Sequence, residues 1–383
     1  MIAFLGLIAA LGGCDDLVSA PRMPGADSFA ARIDSLFADF RSDGPGASVA
    51  VIRDGEVLFA RSHGLAELET GRPADCDTSY RLASVTKQFT ARAIALLIAD
   101  GRLTLDDRLP DVLPGVPDWA ADVRIRHLVG HTSGLPAYES LIPDTLRGQL
   151  EDADVLALVR TATALYFPPG SAYRYSNTAY ALLALIVERT SGKRFAEFLA
   201  ERIFEPAGMT NTVAHEEGIS TVVNRAYGYS PDSIGFRRTD QSQTSAVLGD
   251  GGVYSSITDL VRWDNALSSE RFTSPPLNAG APPDSVSTYG FGWVYETFQG
   301  HRRQSHTGTT VGFRNAYLRF PDARLSIIVL ANRADAQAQE LAEHIAKLLL
   351  PAKSDLPLPN PRAVSARKWQ AMRQLHARST DCL

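Results

Sequence analysis

Ala47-Ser48-Val49-Ala50-Val51-Ile52-Arg53-Asp54-Gly55-Glu56-Val57-Leu58-Phe59-Ala60-Arg61-Ser62-His63 reads as two β-rich runs, 47–53 and 56–63, joined by a two-residue turn. Asp-Gly favours the positive backbone angles of a tight hairpin, so the pair marks a β-hairpin near the start of the chain. A second β-rich set lies far away, around 303–309, 313–320 and 324–331, followed by a helical pattern from Asp335 to Leu350. Upstream of the hairpin, Phe29, Ile33, Leu36, Phe37 and Phe40 recur at helical spacing. Strands at both ends with helices between predict one antiparallel sheet interrupted by a large, mainly helical insertion of about 84–300. The fold class is therefore α/β in the α+β sense, with helices flanking the sheet.

The insertion opens on the chemistry. Ser84-Val85-Thr86-Lys87 precedes an apolar helical run of Phe89, Ala93, Ile94, Leu96 and Leu97 that stops near Gly101. A serine hydroxyl needs a nearby base before it attacks an acyl carbon. On a helix, residues three apart share one face. Burial and a helix N-terminus both favour the neutral amine of Lys87, which makes it a base for Ser84. The tail holds a second Ser-x-x-Lys, Ser365 to Lys368, but it follows a Pro-rich stretch and no partner motif comes after it. Ser84 is followed by Tyr175-Ser176-Asn177 and then His306-Thr307-Gly308.

Ser-x-x-Lys, Tyr-Ser-Asn and His-Thr-Gly in that order resemble the serine β-lactamase and penicillin-binding-protein superfamily, in its class C-like branch. Phe167-Pro168-Pro169-Gly170 leading into Tyr173-Arg174-Tyr175 is similar to that branch. So are His127-Leu128-Val129-Gly130-His131-Thr132-Ser133-Gly134-Leu135-Pro136, Gly251-Gly252-Val253-Tyr254-Ser255-Ser256 and Tyr289-Gly290-Phe291-Gly292-Trp293. The likeness covers roughly residues 28–350 and implies a helical domain inserted into an α/β sandwich, with the site at their junction. It further implies Ser84 as the acyl-forming nucleophile, Lys87 as its base, and Tyr175 as a phenol that shuttles the proton, its pKa lowered by Lys87. Asn177 is implied to hold Lys87 or a substrate amide. His306, Thr307 and Gly308 would form an edge strand along which substrate pairs, and the backbone N–H groups of Ser84 and Thr309 an oxyanion hole.

His306 stands where relatives carry lysine, and a histidine is mostly neutral at pH 7. That points toward D-Ala-D-Ala carboxypeptidases, D-aminopeptidases or esterases more than efficient β-lactamases. Arg302, Arg303 and Arg314 flank the strand as alternative sources of positive charge. Three readings stay open: a hydrolase of peptides or small esters, a class C-like β-lactamase, and a catalytically silent envelope protein that binds without turnover.

The chain has 383 residues, a hydrophobic share of 45% and a charged share of 21%, ordinary for a globular protein. Its net charge of −5 gives no footprint for nucleic acid. The expected partner is a peptide or small-molecule substrate, the expected state a monomer. No Cys/His cluster has zinc-ligand spacing, and the chemistry needs neither metal nor cofactor. An apolar run from Met1 ends in Leu11-Gly12-Gly13-Cys14, with no Lys or Arg ahead of it. It resembles an export signal with a bacterial lipobox over residues 1–14. Cys14 would then be lipidated, 15–27 would form a tether, and the protein would face the periplasm from a lipid anchor. Cys76 and Cys382 are expected as unpaired thiols. His127 and His131 are expected to be structural. Residues 351–383 read as a Pro-rich linker followed by a basic helix carrying Trp369.

Overall fold

The computed structural model describes residues 14–18, 26–269, 272 and 287–352. The leader 1–13, most of the 15–27 tether, and the tail from 353 with Ser365, Trp369 and Cys382 lie outside the described residues. Seven strands build the main sheet: β1 (Ala47–Arg53), β2 (Glu56–His63), β3 (Thr288–Gly290), β4 (Trp293–Phe298), β5 (His301–Thr310), β6 (Phe313–Phe320) and β7 (Leu325–Ala331). Their order is β3-β4-β5-β6-β7-β1-β2, with every pair antiparallel. The hairpin forms as read, with Asp54 at φ 56° and Gly55 at φ 85°. Pairing of β1 with β7 joins the two ends of the chain, Val49 opposite Val329.

The sheet is wider than expected, because 288–298 adds two strands and the return starts at His301. The insertion therefore runs from 64 to 287 and is not purely helical. It also carries short strands such as Tyr80–Arg81, Val213–Ala214 and Val253–Ser255, which form a small sheet of their own.

Alternation along the strands sorts two cores. Leu325, Ile327 and Val329 of β7 face α1 (Ala26–Leu36) and α6 (Ala338–Leu349), packing with Ile33, Phe37, Ala342 and Ile345. Ile328 and Leu330 face the other way, toward a core built around α2 (Lys87–Ala99). Every residue of α2 from Lys87 to Leu97 is buried, so this helix is enclosed on all sides. Around it lie α3 (Asn177–Ser191), α4 (Leu248–Gly251) and α5 (Ile257–Ala266). Ser176 caps α3 by accepting from the Ala179 N–H at 3.1 Å, and Gly192 ends it at φ 74°. Ser256 caps α5 in the same way, accepting from Asp259 at 3.2 Å.

Two cysteine expectations are corrected. Cys14 and Cys76 are joined in a disulfide with their Cα atoms 5.3 Å apart. The 3-10 turn Cys14–Leu17 packs on the body instead of trailing as a tether, and Leu17 touches the α2 core. Cys76 is thus not a free thiol. A sulfur engaged in this bond has no valence for a thioether, so the lipid attachment expected at Cys14 is excluded in this state.

Backbone crowding fixes where the insertion meets the sheet. A Cβ on Gly308 would fall 2.1 Å from the Leu82 carbonyl oxygen, and one on Gly292 would fall 2.5–2.6 Å from backbone atoms of Lys87 and Gln88. Gly292 also sits at φ +79°, which disfavours any side chain. Gly292→Ala is therefore expected to cost about 1–3 kcal/mol through overpacking and strain, read as a lowered urea midpoint. Gly71→Ala, at φ +69° with nothing within 4 Å, is expected to cost less, about 1 kcal/mol.

Candidate active site

The predicted residues converge where β5, the start of α2 and the start of α3 meet. Ser84 lies in a 3-10 turn, Ala83–Thr86, that runs directly into α2. Ala83 adopts φ 49°, a left-handed angle unusual for a residue with a side chain. The turn is braced on both sides: the Leu82 N–H donates to the Val253 carbonyl at 2.8 Å and the Val253 N–H to Thr86 Oγ1 at 3.2 Å. Ser84 itself is half-buried and borders two cavities.

Lys87 is fully buried. Its Nζ donates to Ser84 Oγ at 3.2 Å, to Asn177 Oδ1 at 2.8 Å and to the Asp250 carbonyl at 2.7 Å. Burial holds its pKa below the ordinary lysine value, against the raising effect of Asp250 and then Glu139. The same burial, only partly offset by Lys87, pushes the Asp250 carboxyl up.

The Tyr175 phenol and the Ser84 side chain line the same cavity, and Ser84 favours the ionised phenol. The Tyr175 ring lies 4.3 Å, centroid to centroid, from His131 and 4.9 Å from Lys87 Nζ. The lowered phenol pKa expected from Lys87 is not found. Burial pushes Tyr175 up, and the carboxylates of Asp250 and Glu139 add to that, so the phenol is protonated at neutral pH. The residue is still 40% exposed, so the desolvation is partial and the direction is what counts.

Asn177 bridges: Oδ1 accepts from Lys87 while Nδ2 donates to Glu139 Oε1 at 2.6 Å. His306 is buried, with Nδ1 2.7 Å from the Thr307 carbonyl and Nε2 2.9 Å from the Tyr289 hydroxyl. The carbonyl can only accept, so Nδ1 carries the proton and Nε2 accepts from Tyr289. Desolvation and then the Lys87 charge push its pKa down to about 3. His306 is a neutral imidazole. Thr307 lines the larger cavity, Thr309 lines both, and Gly308 gives β5 its close approach to Leu82.

The flanking arginines bring no charge to the cleft. Arg302 is paired with Asp322, Arg303 with Glu296 and Glu343, and Arg314 donates to the Thr310 and Phe313 carbonyls. His127 Nδ1 accepts from the Arg124 N–H, and His131 Nδ1 from the Ser176 N–H, each at 3.1 Å. Both therefore fix backbone.

Four groups escaped the sequence reading: Tyr138, Glu139, Asp250 and Glu296. The one trace of them was Asp250, a lone charge within Gly249-Asp250-Gly251-Gly252. The larger cavity, about 370 Å³, is lined by Ser84, Tyr175, Glu296, His306, Thr307 and Gln339, among others. The smaller, about 80 Å³, includes Ser84, Tyr138, Glu139, Asn177, Asp250 and Arg81. Arg81 is buried and donates to the Ser245 hydroxyl and carbonyl. Among the described lining residues, the charged groups not buried are carboxylates, Glu139 and Glu296.

The sequence profile of the Beta-lactamase family matches residues 33–350. Penicillin-binding protein 4* of Bacillus subtilis is 34% identical over 328 residues, 78% of this chain and 71% of that protein. A D-aminopeptidase of Cereibacter sphaeroides is 31% identical over 331 residues, 83% of this chain but 62% of the relative, so less than two thirds of its length is matched. Among solved structures, a penicillin binding protein from Bacillus halodurans superposes with a TM-score of 0.71 at 26% identity, over 83% of this chain and 99% of that one.

A histidine held neutral in the fold carries a pH signature. Below pH 6.5 the unfolded chain protonates its histidines while folded His306 resists until about pH 3, and His131 is likewise held well below its ordinary value. The unfolded state then binds more protons, so stability falls as pH drops across that window. Each such group steepens the loss by at most about 1.4 kcal/mol per pH unit. Urea unfolding at pH 7, 5 and 4 is expected to show this slope, and His306→Gln to flatten it.

Proposed function

The chain belongs to the Beta-lactamase family and is a serine hydrolase; we propose that it cleaves amides or short peptides whose acyl half carries a free amino group. The supporting observation is the small carboxylate-bearing cavity beside Ser84, together with a cleft in which, among the described lining residues, no arginine or lysine is free to hold a substrate carboxylate.

The reaction follows from the hydrogen bonds. Lys87, when neutral, accepts the Ser84 proton as Oγ attacks the acyl carbon. The backbone N–H groups of Ser84 and Thr309 receive the developing oxyanion, each such donor contributing about 3–4 kcal/mol in comparable sites. Tyr175 is protonated and lines the same cavity as Ser84, so it can hand its proton to the leaving nitrogen and be recharged from the Lys87 ammonium, which holds the proton taken from Ser84. Water then hydrolyses the acyl-enzyme along the same proton route.

Tyr175 borders the larger cavity, which assigns the leaving half to that side. Asn177 borders the smaller one, which assigns the acyl half there. A short acyl group with an ammonium would meet the exposed Glu139 carboxylate, which Asn177 already orients. The larger cavity would take the rest of a peptide. Relatives named D-aminopeptidase are in keeping with this reading.

The alternatives fit less well. β-Lactams and D-Ala-D-Ala ends carry a carboxylate on the leaving side, and there the cleft offers neutral His306 and a Glu296 carboxylate already paired with Arg303. A silent binding protein has no need of a buried lysine within reach of a serine hydroxyl.

A panel of D- and L-aminoacyl nitroanilides, their N-acetyl forms, nitrophenyl esters and a β-lactam tests the substrate. Free-amine substrates are expected to be turned over best, with N-acetylation lowering kcat/KM about tenfold or more, roughly the worth of one charge-assisted hydrogen bond. Glu139→Gln is expected to erase most of that preference by raising KM. Lys87→Met should lower kcat about 10²–10⁴-fold, and Ser84→Ala should abolish turnover. Faster cleavage of the acetylated substrates or the β-lactam would refute the amine assignment.

A further inference from the structure

Asp250 takes no part in the steps above through its side chain, yet the residue is buried and its backbone carbonyl is bonded to the catalytic lysine. Three elements hold it there. Tyr138, in the turn Tyr138–Leu141, donates its hydroxyl to Asp250 Oδ2 at 3.0 Å. The Asp250 carbonyl accepts from Lys87 Nζ at 2.7 Å. The helix α4 that carries it is fastened by Asp152, whose carboxylate accepts from the Leu248 and Gly249 N–H groups at 2.9 and 3.0 Å. At this position the backbone carbonyl supplies the acceptor for Lys87, so a charged side chain is not required here for holding the amine in place.

We infer that Asp250, oriented by Tyr138, is a positioning residue that sets how tightly Lys87 holds a proton, and thereby the pH at which Ser84 becomes nucleophilic. This rests on the acyl-enzyme reading. A buried negative charge stabilises the ammonium and opposes the desolvation that favours the neutral amine. With the carboxylate present, the amine is basic enough to draw the proton from Ser84. Without it, Lys87 is neutral at lower pH but is a weaker base. Asp250 neither gains nor loses a bond in this step; the proton passes from Ser84 Oγ to Lys87 Nζ.

The other groups around the pair leave Asp250 as the chief control. Facing Lys87 are Glu139, His131, His306, Tyr175 and Tyr180. Both histidines are held neutral, and the two tyrosines are pushed up and stay protonated. Glu139 is exposed to solvent, where its field is screened. Facing Asp250 are Lys87, Glu139, Tyr138, Arg81 and Asp152. Arg81 is occupied by Ser245.

The test is the rate of Ser84 labelling by a fluorophosphonate probe as a function of pH, in the full chain, which needs no knowledge of the substrate. Wild type is expected to label faster as pH rises through the Lys87 ionisation. Asp250→Asn is expected to move that rise to lower pH by about one unit and to lower the plateau rate. Tyr138→Phe leaves the packing intact and removes one hydrogen bond, so it keeps the question open to test should the asparagine variant not fold. Its rise is expected to move in the same direction by a smaller amount. An unmoved rise in a folded variant, with only the plateau or KM changed, overturns the inference in favour of a structural or substrate-binding role. A wild type that does not label at all refutes the acyl-enzyme reading instead.

Discussion

A lysine amine sealed from solvent and held by three oxygen acceptors is the constraint on which this molecule depends. Lys87 Nζ reaches a serine hydroxyl, an asparagine carbonyl and a backbone carbonyl, each from a different segment. Desolvating an ammonium is costly unless its partners are supplied in place. The fold supplies them by surrounding α2 completely, so the helix that bears the base is also the hub of the larger core. Site and core are thus one structure, and a change that loosens either is felt in both.

The sheet and its insertion meet backbone to backbone. Gly308 allows β5 to lie against Leu82, and Gly292 allows the turn before β4 to lie against the first residues of α2. These approaches bring Thr307 and Thr309 to the same cavity as Ser84. They also place His306 under Tyr289, where it is hydrogen-bonded at both nitrogens and uncharged. Neutral His306 and the engaged arginines Arg302, Arg303 and Arg314 together give the cleft its character: among the described lining residues, the charges that are not buried are acidic.

How far the sequence could be read depended on whether a feature was local. Asp54-Gly55 needed only its own two backbone angles, so the hairpin and the closing of the sheet by β7 were legible. Ser84, Lys87, Tyr175, Asn177 and His306 were legible because their order matches a known family, and the geometry brings all five together. The strands at 288–298 were not, since three- and six-residue runs rich in Gly, Tyr and Trp carry little alternation. Glu139 and Asp250 were not legible either, because each acquires meaning from a partner far along the chain: Asn177 for the first, Lys87 and Tyr138 for the second. Arg302, Arg303 and Arg314 could be named as flanking the strand, but alternation does not tell which of them faces the cleft. The partners that engage them, Asp322 for Arg302, Glu296 and Glu343 for Arg303 and the Thr310 and Phe313 carbonyls for Arg314, are set by the folded chain. The Cys14–Cys76 bond likewise depends on the turn Cys14–Leu17 packing on the body, which a leader-like sequence did not suggest. The sign of the Tyr175 shift was not legible because burial of the phenol, and then the carboxylates of Asp250 and Glu139, arise only in the folded chain.

The most direct measurement is the ionisation of Lys87 itself, followed by NMR of protein carrying labelled lysine. The chain has only five lysines, Lys87, Lys193, Lys347, Lys353 and Lys368, so loss of one signal in Lys87→Met assigns the resonance. A Lys87 titration displaced clearly below the ordinary value of about 10.4 is expected. A Lys87 that titrates at or above that value would contradict the account, since the amine would then stay charged where it must act as a base.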